Sequence, residues 1–184
     1  RFPRRPKGPT MTSDPAASDG VLVTDDGEPR LRFERRFPFP IADVWHAVTD
    51  RERLGRWLFP TTFEPRVGGA VEVDMGEYGT ARGRVLAWVE PTELEYEWDQ
   101  PAEIAGDEDG TWRIRLFLTA DGDDATTLVF EHLLPEPRRP EFAAGWHWYL
   151  DRLGLFLGGG QPAAVETDEN FDRLLEHYTN RSST

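Results

Sequence analysis

The sequence predicts an α+β domain built on an antiparallel meander and followed by one long helix. Three observations carry this. Leu31 to Pro60 reads as a strand, a proline-set turn and two short helices, the second ending in an aromatic cluster. Four later segments alternate apolar and polar residues at hairpin spacing. Glu141 to Leu157 then sets Phe142, Trp146, Tyr149, Leu150, Leu153 and Leu157 at helical spacing, giving one broad apolar face.

The elements follow in order. Residues 1–29 are expected to form a disordered leader. Arg1 to Thr10 is basic and proline-rich without the apolar stretch of a secretory signal, Met11 offers a second start, and residues 11–29 are rich in Asp, Ser, Ala, Gly and Pro. Arg30 to Phe37 alternates, with Leu31, Phe33 and Arg35 on one face and Arg32, Glu34 and Arg36 on the other. Pro38 and Pro40 end that strand because proline has no N–H for the ladder. The first helix buries Val44, Trp45 and Val48, and Thr49 or Asp50 caps a second helix over Arg51 to Leu58.

From Ala70 to Met75 and from Thr80 to Glu90 two strands are separated by a turn at Gly76 to Gly79. Leu94, Tyr96 and Trp98 alternate with Glu93, Glu95, Glu97 and Asp99, the cleanest half-buried pattern in the chain. The acidic stretch Gln100 to Gly110 reads as a loop. Trp112, Ile114, Leu116 and Leu118 mark the next strand opposite Arg113 and Arg115, and Thr126 to Leu134 the last. Pro135 to Pro140 ends the sheet, and Gly158 to Gly160 stops the long helix. Phe171, Leu174, Leu175 and Tyr178 give residues 159–184 a short amphipathic helix in a C-terminal extension. The domain proper is therefore expected over residues 30–158.

Composition excludes more than it proposes. Formal net charge is −13 over 184 residues, and without Arg1, Arg4, Arg5 and Lys7 the basic residues number 17 against 34 acidic. Such a surface repels phosphate backbones and anionic bilayers, so neither nucleic acid nor membrane is an expected partner. No apolar run reaches the roughly 18 residues needed to span a bilayer, and a cytoplasmic location is expected. The sequence has no cysteine, which removes disulfides, thiolate nucleophiles and cysteine metal sites. Serine occurs only at 13, 18, 182 and 183, and Lys7 is the single lysine, so serine nucleophiles, Schiff-base lysines and phosphate-loop lysines are missing. No histidine pair or His–carboxylate set has ligand spacing, so neither a metal nor another cofactor is expected. The dominance of arginine over lysine fits a GC-rich, bacterial genome.

Several segments resemble one known family. Val44-Trp45, Ala47 to Asp50 and Trp57 are similar to the N-terminal signature of the branch related to the activator of Hsp90 ATPase, the AHSA1-like group of the START-like (SRPBCC) superfamily. Gly83 to Leu86 with Pro91, Leu94, Tyr96 and Trp98 resembles its central strand pair. Thr127 to His132 resembles its final strand, and Gly145-Trp146 with Leu150 and Leu153 its helix. The likeness covers about residues 30 to 158. It implies the helix-grip fold, a curved antiparallel sheet wrapped around a long C-terminal helix, and a cavity rather than a reaction. Relatives of this architecture bind lipids, sterols, hormones or polyketides, and a few catalyse cyclisation or hydrolysis. Hsp90 activation itself is not carried over.

A cavity between sheet and helix would be lined by Tyr96, Trp98, Trp112, Ile114, Phe130 and His132 from the strands and by Trp146, Tyr149 and Leu150 from the helix. Flat rings suit a small apolar or aromatic ligand, although the same rings would also simply fill a core. His132 shares the face of Phe130 and could orient a ligand hydroxyl or act as a base, or be a hydrogen-bonded core residue. His147 is expected on the helix flank. Glu93, Glu95 and Glu97 are expected on the solvent face. Arg82 or Arg84 could pair a ligand carboxylate if its strand turned that face inward. The expected function is a small-molecule binding module with no catalytic residues. Two alternatives stay open: a cofactor-free cyclase or aromatase using His132 or Tyr96 as acid and base, and a protein-interaction domain with a filled core. A homodimer is compatible with each.

Overall fold

A computed structural model describes residues 19–25, 27–99, 110–133 and 140–182. Most of the expected leader, ten residues of the acidic loop after Asp99 and the segment after the last strand lie outside these residues. Eight strands form one antiparallel sheet: β1 (Val21–Asp25), β2 (Glu28–Phe37), β3 (Thr61–Phe63), β4 (Ala70–Asp74), β5 (Thr80–Val89), β6 (Glu93–Asp99), β7 (Thr111–Ala120) and β8 (Thr126–Leu133). Their order is β1-β2-β8-β7-β6-β5-β4-β3, so β2 lies beside β8, the last strand of the β3-to-β8 meander, and the open sheet has β1 and β3 at its edges. Helices α1 (Ile41–Thr49) and α2 (Arg51–Leu54) follow β2, and α3 (Pro140–Leu157) and α4 (Asp168–Ser182) follow the sheet.

The inner face of the sheet follows the period-2 pattern. Leu31, Phe33 and Phe37 of β2, Val85 of β5, Leu94, Tyr96 and Trp98 of β6, Ile114 and Leu116 of β7, and Leu128 and Phe130 of β8 are all buried. Against them α3 lays Ala144, Trp146, Leu150 and Leu153. Helix α1 closes one end of the core with Val44, Trp45 and Val48, and Trp57 donates its indole N–H to the Ala47 carbonyl at 2.9 Å. Asp50 accepts the Arg53 N–H at 2.9 Å as the cap of α2.

The outer face is an ion-pair lattice rather than a plain polar surface. Register places Arg32, Glu131, Arg115 and Glu95 side by side across β2, β8, β7 and β6. Glu131 accepts from both Arg30 (2.9 Å) and Arg32 (3.1 Å), while Glu95 pairs with Arg115 (2.9 Å) and Arg113. Glu95 is therefore only 8% exposed, although alternation puts it on the expected solvent face. Flanking arginine stems and guanidinium groups cover it. Glu93 and Glu97 stay more accessible. Arg82 and Arg84 also belong to this face, paired with Glu72 (3.6 Å) and Glu97 (2.8 Å), so neither reaches the interior. Gly83 between them has no room for a side chain, since a Cβ there would lie 1.7 Å from the Glu97 carbonyl oxygen.

Four boundaries differ from the sequence expectation. Residues assigned to the leader form β1, where the apolar Val21-Leu22-Val23 run pairs with Arg30 to Arg32. Helix α2 ends at Leu54 rather than Leu58, with a turn at Gly55. Strand β3 went unread because three residues after Pro60 are too few to show a period. Helix α4 packs on α3 and buries Leu174 and Tyr178, so the extension contributes to the same core. Among the described residues no helix is long and apolar enough to cross a membrane.

Candidate functional site

A cavity of about 250 Å³ opens between the inner face of the sheet and α3. Tyr96 and Trp98 of β6, Trp112 of β7, Val73 of β4 and Thr61 of β3 form its sheet side. Phe142, Gly145, Trp146 and Tyr149 form its helix side, because positions i, i+3, i+4 and i+7 of α3 face the sheet together, and Trp148 joins them from the flank. Leu58, Phe59 and Met75 close one end, and Phe171 of α4 reaches the rim beside Trp148, 6.1 Å between ring centroids.

The rings brace one another. Tyr96 and Trp98 stack with centroids 5.3 Å apart, Trp98 leans on Trp112 at 5.7 Å, and Trp112 meets Phe142 edge-on at 5.5 Å. Trp146, Tyr149, Trp148 and Phe59 continue the chain of contacts around the helix side. Trp148 is oriented by its N–H bond to the Val165 carbonyl, 2.7 Å, and Arg152 lies over its outer face at 5.0 Å while pairing with Glu166. Burial pushes the Tyr96 and Tyr149 hydroxyls above the ordinary phenol range, so both stay protonated at neutral pH.

Five of the nine sequence-selected residues line this cavity: Tyr96, Trp98, Trp112, Trp146 and Tyr149. The other four do not. Ile114, Phe130 and Leu150 are core residues that fill the space beneath it. His132 is fully buried behind a screen of Trp112, Trp146 and Phe142, with ring centroids at 4.8, 5.5 and 6.2 Å. Its Nδ1 accepts the Trp146 indole N–H at 2.7 Å. That bond places the ring proton on Nε2, which has no hydrogen-bond partner. Desolvation drags its pKa down to about 3, so the ring is neutral. Alternation tells which side chains point inward, and only the packing of neighbouring rings decides which of those meet a void.

Sequence reasoning missed ten lining residues, among them Leu58, Phe59, Met75, Phe142, Trp148 and Phe171. Leu58 and Phe59 had a signal in the aromatic cluster after α2. Phe171 comes from a helix whose place against the domain no local pattern reveals.

A second polar cluster lies where α3 meets β2 and α4. His147, expected on the flank, is buried there. Its Nδ1 is 2.8 Å from the Tyr178 hydroxyl, which itself accepts the Gly20 N–H at 2.8 Å. Asp151 lies 3.6 Å from the other ring nitrogen, and Asp19 joins His177 (2.9 Å) and Arg181. Burial, aided by the Arg35 charge, lowers the His147 pKa to about 4, and desolvation raises that of Asp151. These contacts fasten the start of the described chain and α4 to α3. Among the described residues no group of three or more His, Asp or Glu side chains is arranged to hold a metal ion.

Comparison with known proteins agrees with this geometry. A family model described as activator of Hsp90 ATPase homolog 1-like protein matches residues 38–158. A comparison with curated sequences finds no match. CalU16 from Micromonospora echinospora superposes with a TM-score of 0.68 at 24% identity, over 90% of this chain and 98% of its own. EF2215 from Enterococcus faecalis, a conserved protein of unknown function, gives 0.70 at 21% identity, over 91% and 92% of the two chains. DynU16, encoded in the dynemicin biosynthetic locus, gives 0.61 at 25% identity over 73% of this chain and 49% of DynU16. These likenesses establish the fold, and the expected helix-grip architecture is the one observed.

Proposed function

The chain belongs to the activator of Hsp90 ATPase homolog 1-like family, and from that premise we propose that it is a small-molecule binding protein. It encloses an apolar or aromatic ligand between the sheet and α3. The observation that carries this reading is the aromatic-walled space of about 250 Å³ beside a closely packed apolar core. A protein-interaction domain with a filled core has no need of such a void. The use of His132 as a base loses support, because Trp112, Trp146 and Phe142 screen its ring from the cavity.

The wall is aromatic and aliphatic with few polar groups, which suits a ligand carrying at least one apolar ring. The test is titration of intrinsic tryptophan fluorescence with bicyclic aromatics, sterols and long-chain fatty acids. The variant Gly145→Phe serves as the blocked control, since a Cβ at Gly145 meets nothing within 4 Å and the added ring enters the cavity. Saturable change with the bicyclic set, lost in Gly145→Phe, supports the reading. No saturable response to any compound sinks it.

A further inference from the structure

One donor in the cavity wall has nothing to donate to. Trp98 lines the cavity and is 4% exposed, and its single polar side-chain atom, Nε1, is buried without a hydrogen-bond partner. Three other indoles spend their N–H groups inside the protein: Trp57 on the Ala47 carbonyl at 2.9 Å, Trp146 on His132 at 2.7 Å and Trp148 on the Val165 carbonyl at 2.7 Å. An indole N–H enclosed without an acceptor loses its bond to water and gains none in return, so native structures rarely keep one without a use. The neighbours of Trp98 supply no acceptor to it. Tyr96 stacks along the indole at 5.3 Å with 19° between the planes, and Trp112 leans on it from β7 at 5.7 Å. The residue opposite it on β5 is Gly83, which brings no side chain. The cavity that Trp98 lines is the space from which an acceptor can arrive.

Resting on the binding function proposed above, we infer that Trp98 is the hydrogen-bond donor to the ligand, and that the ligand is an uncharged aromatic molecule carrying a carbonyl oxygen. The apolar wall takes the ring and the indole N–H takes the oxygen. A carbonyl oxygen accepts near the plane of its own group, so this one bond fixes how the ring lies between β6 and α3. What lines the space decides the charge. Among the described lining residues none is an arginine, lysine or histidine, so a carboxylate would lose its water without gaining a cation. It would also approach a protein of net charge −13. A hydrocarbon of the same shape fills the cavity but leaves the Trp98 N–H as unmet as before.

Three probes test this by equilibrium dialysis against the wild-type protein and Trp98→Phe: 2-acetylnaphthalene, its isostere 2-isopropenylnaphthalene with CH2 in place of the carbonyl oxygen, and the anion 2-naphthoate. The hydrocarbon gains more on leaving water, and comparing the loss each ligand suffers on the substitution cancels that difference. The expected result is that Trp98→Phe weakens the ketone about tenfold more than the hydrocarbon, the ratio given by one hydrogen bond from a buried donor. The carboxylate is expected to bind the wild-type protein several-fold more weakly than the ketone. Equal losses, or a ketone that fails to bind where the hydrocarbon does, overturn the role of Trp98 while the binding function stands. A carboxylate that binds as tightly as the ketone overturns the uncharged ligand. Should Trp98→Phe fail to fold, the assigned indole proton resonance of Trp98 in the wild-type protein decides. A downfield shift with the ketone but not the hydrocarbon supports the bond, and the same response to both, or none, overturns it. If none of the three binds the wild-type protein, the inference and the binding function are both overturned.

Discussion

The indole N–H of Trp146 donates to Nδ1 of His132 across 2.7 Å, tying α3 to the C-terminal end of β8. The bond joins a cavity-wall residue to a core residue, and it explains why an inward-facing histidine is structural here. Its acceptor nitrogen is engaged and its other nitrogen is enclosed by rings.

Removing the acceptor should therefore cost stability rather than activity. His132→Ala leaves the Trp146 N–H unsatisfied and opens a void, and is expected to lower unfolding free energy by about 3–4 kcal/mol. Urea denaturation followed by tryptophan fluorescence measures this, and a loss under about 1 kcal/mol would contradict the assigned bond.

Acid sensitivity follows from the two buried histidines. Folding depresses His132 to about 3 and His147 to about 4, from the ordinary 6.5. The unfolded chain thus takes up protons that the folded chain refuses as pH falls below 6.5. Stability supplied by the neutral rings is whole above that pH and is lost progressively, down to about 4 for His147 and about 3 for His132. Between pH 6 and 4.5 the slope contributed by both is about 2–3 kcal/mol per pH unit. His147→Gln should remove about half of it in a series of urea midpoints against pH.

Gly145 lies in the interior of α3 with open space where its side chain would be. Gly145→Ala is expected to raise stability by about 0.5–1 kcal/mol through helix propensity alone. Thermal unfolding checks this. A fall in stability would mean that the space beside α3 is not there.

Gly83 predicts the opposite. With Glu97 O 1.7 Å from the site of a Cβ, Gly83→Ala must push β5 away from β6. A loss of roughly 4 kcal/mol or more, or failure to fold, is expected. Proton exchange of the β5 and β6 amides in any folded fraction would report the separation.

Tyr178 couples α4 to the first described residues. Tyr178→Phe removes the acceptor for the Gly20 N–H and the partner of His147 at a cost of about 1–2 kcal/mol. Amide exchange should speed most at Gly20 and along β1, with β6 and β7 little changed.

Much of this molecule could be read from residue order alone. The strand and helix order, the inward faces of β2, β6, β7 and β8 and the buried stripe of α1 depend on periods of 2 and 3.6, which are local properties of the chain. So Tyr96, Trp98, Trp112 and Trp146 were identifiable as interior. Other features depend on distant segments meeting. Glu95 is buried because Arg113 and Arg115, on the neighbouring strand, fold over it. His132 is core and Trp112 is wall, although both sit on inward faces, because Phe142 and Trp146 arrive from α3 to cover one and leave the other bordering the void. Phe171 joins the cavity rim from a helix fastened by Tyr178 and His147. Periodicity decides which way a side chain points. Whether it then meets protein or empty space is a matter of three-dimensional packing, and that only the assembled sheet and helices determine.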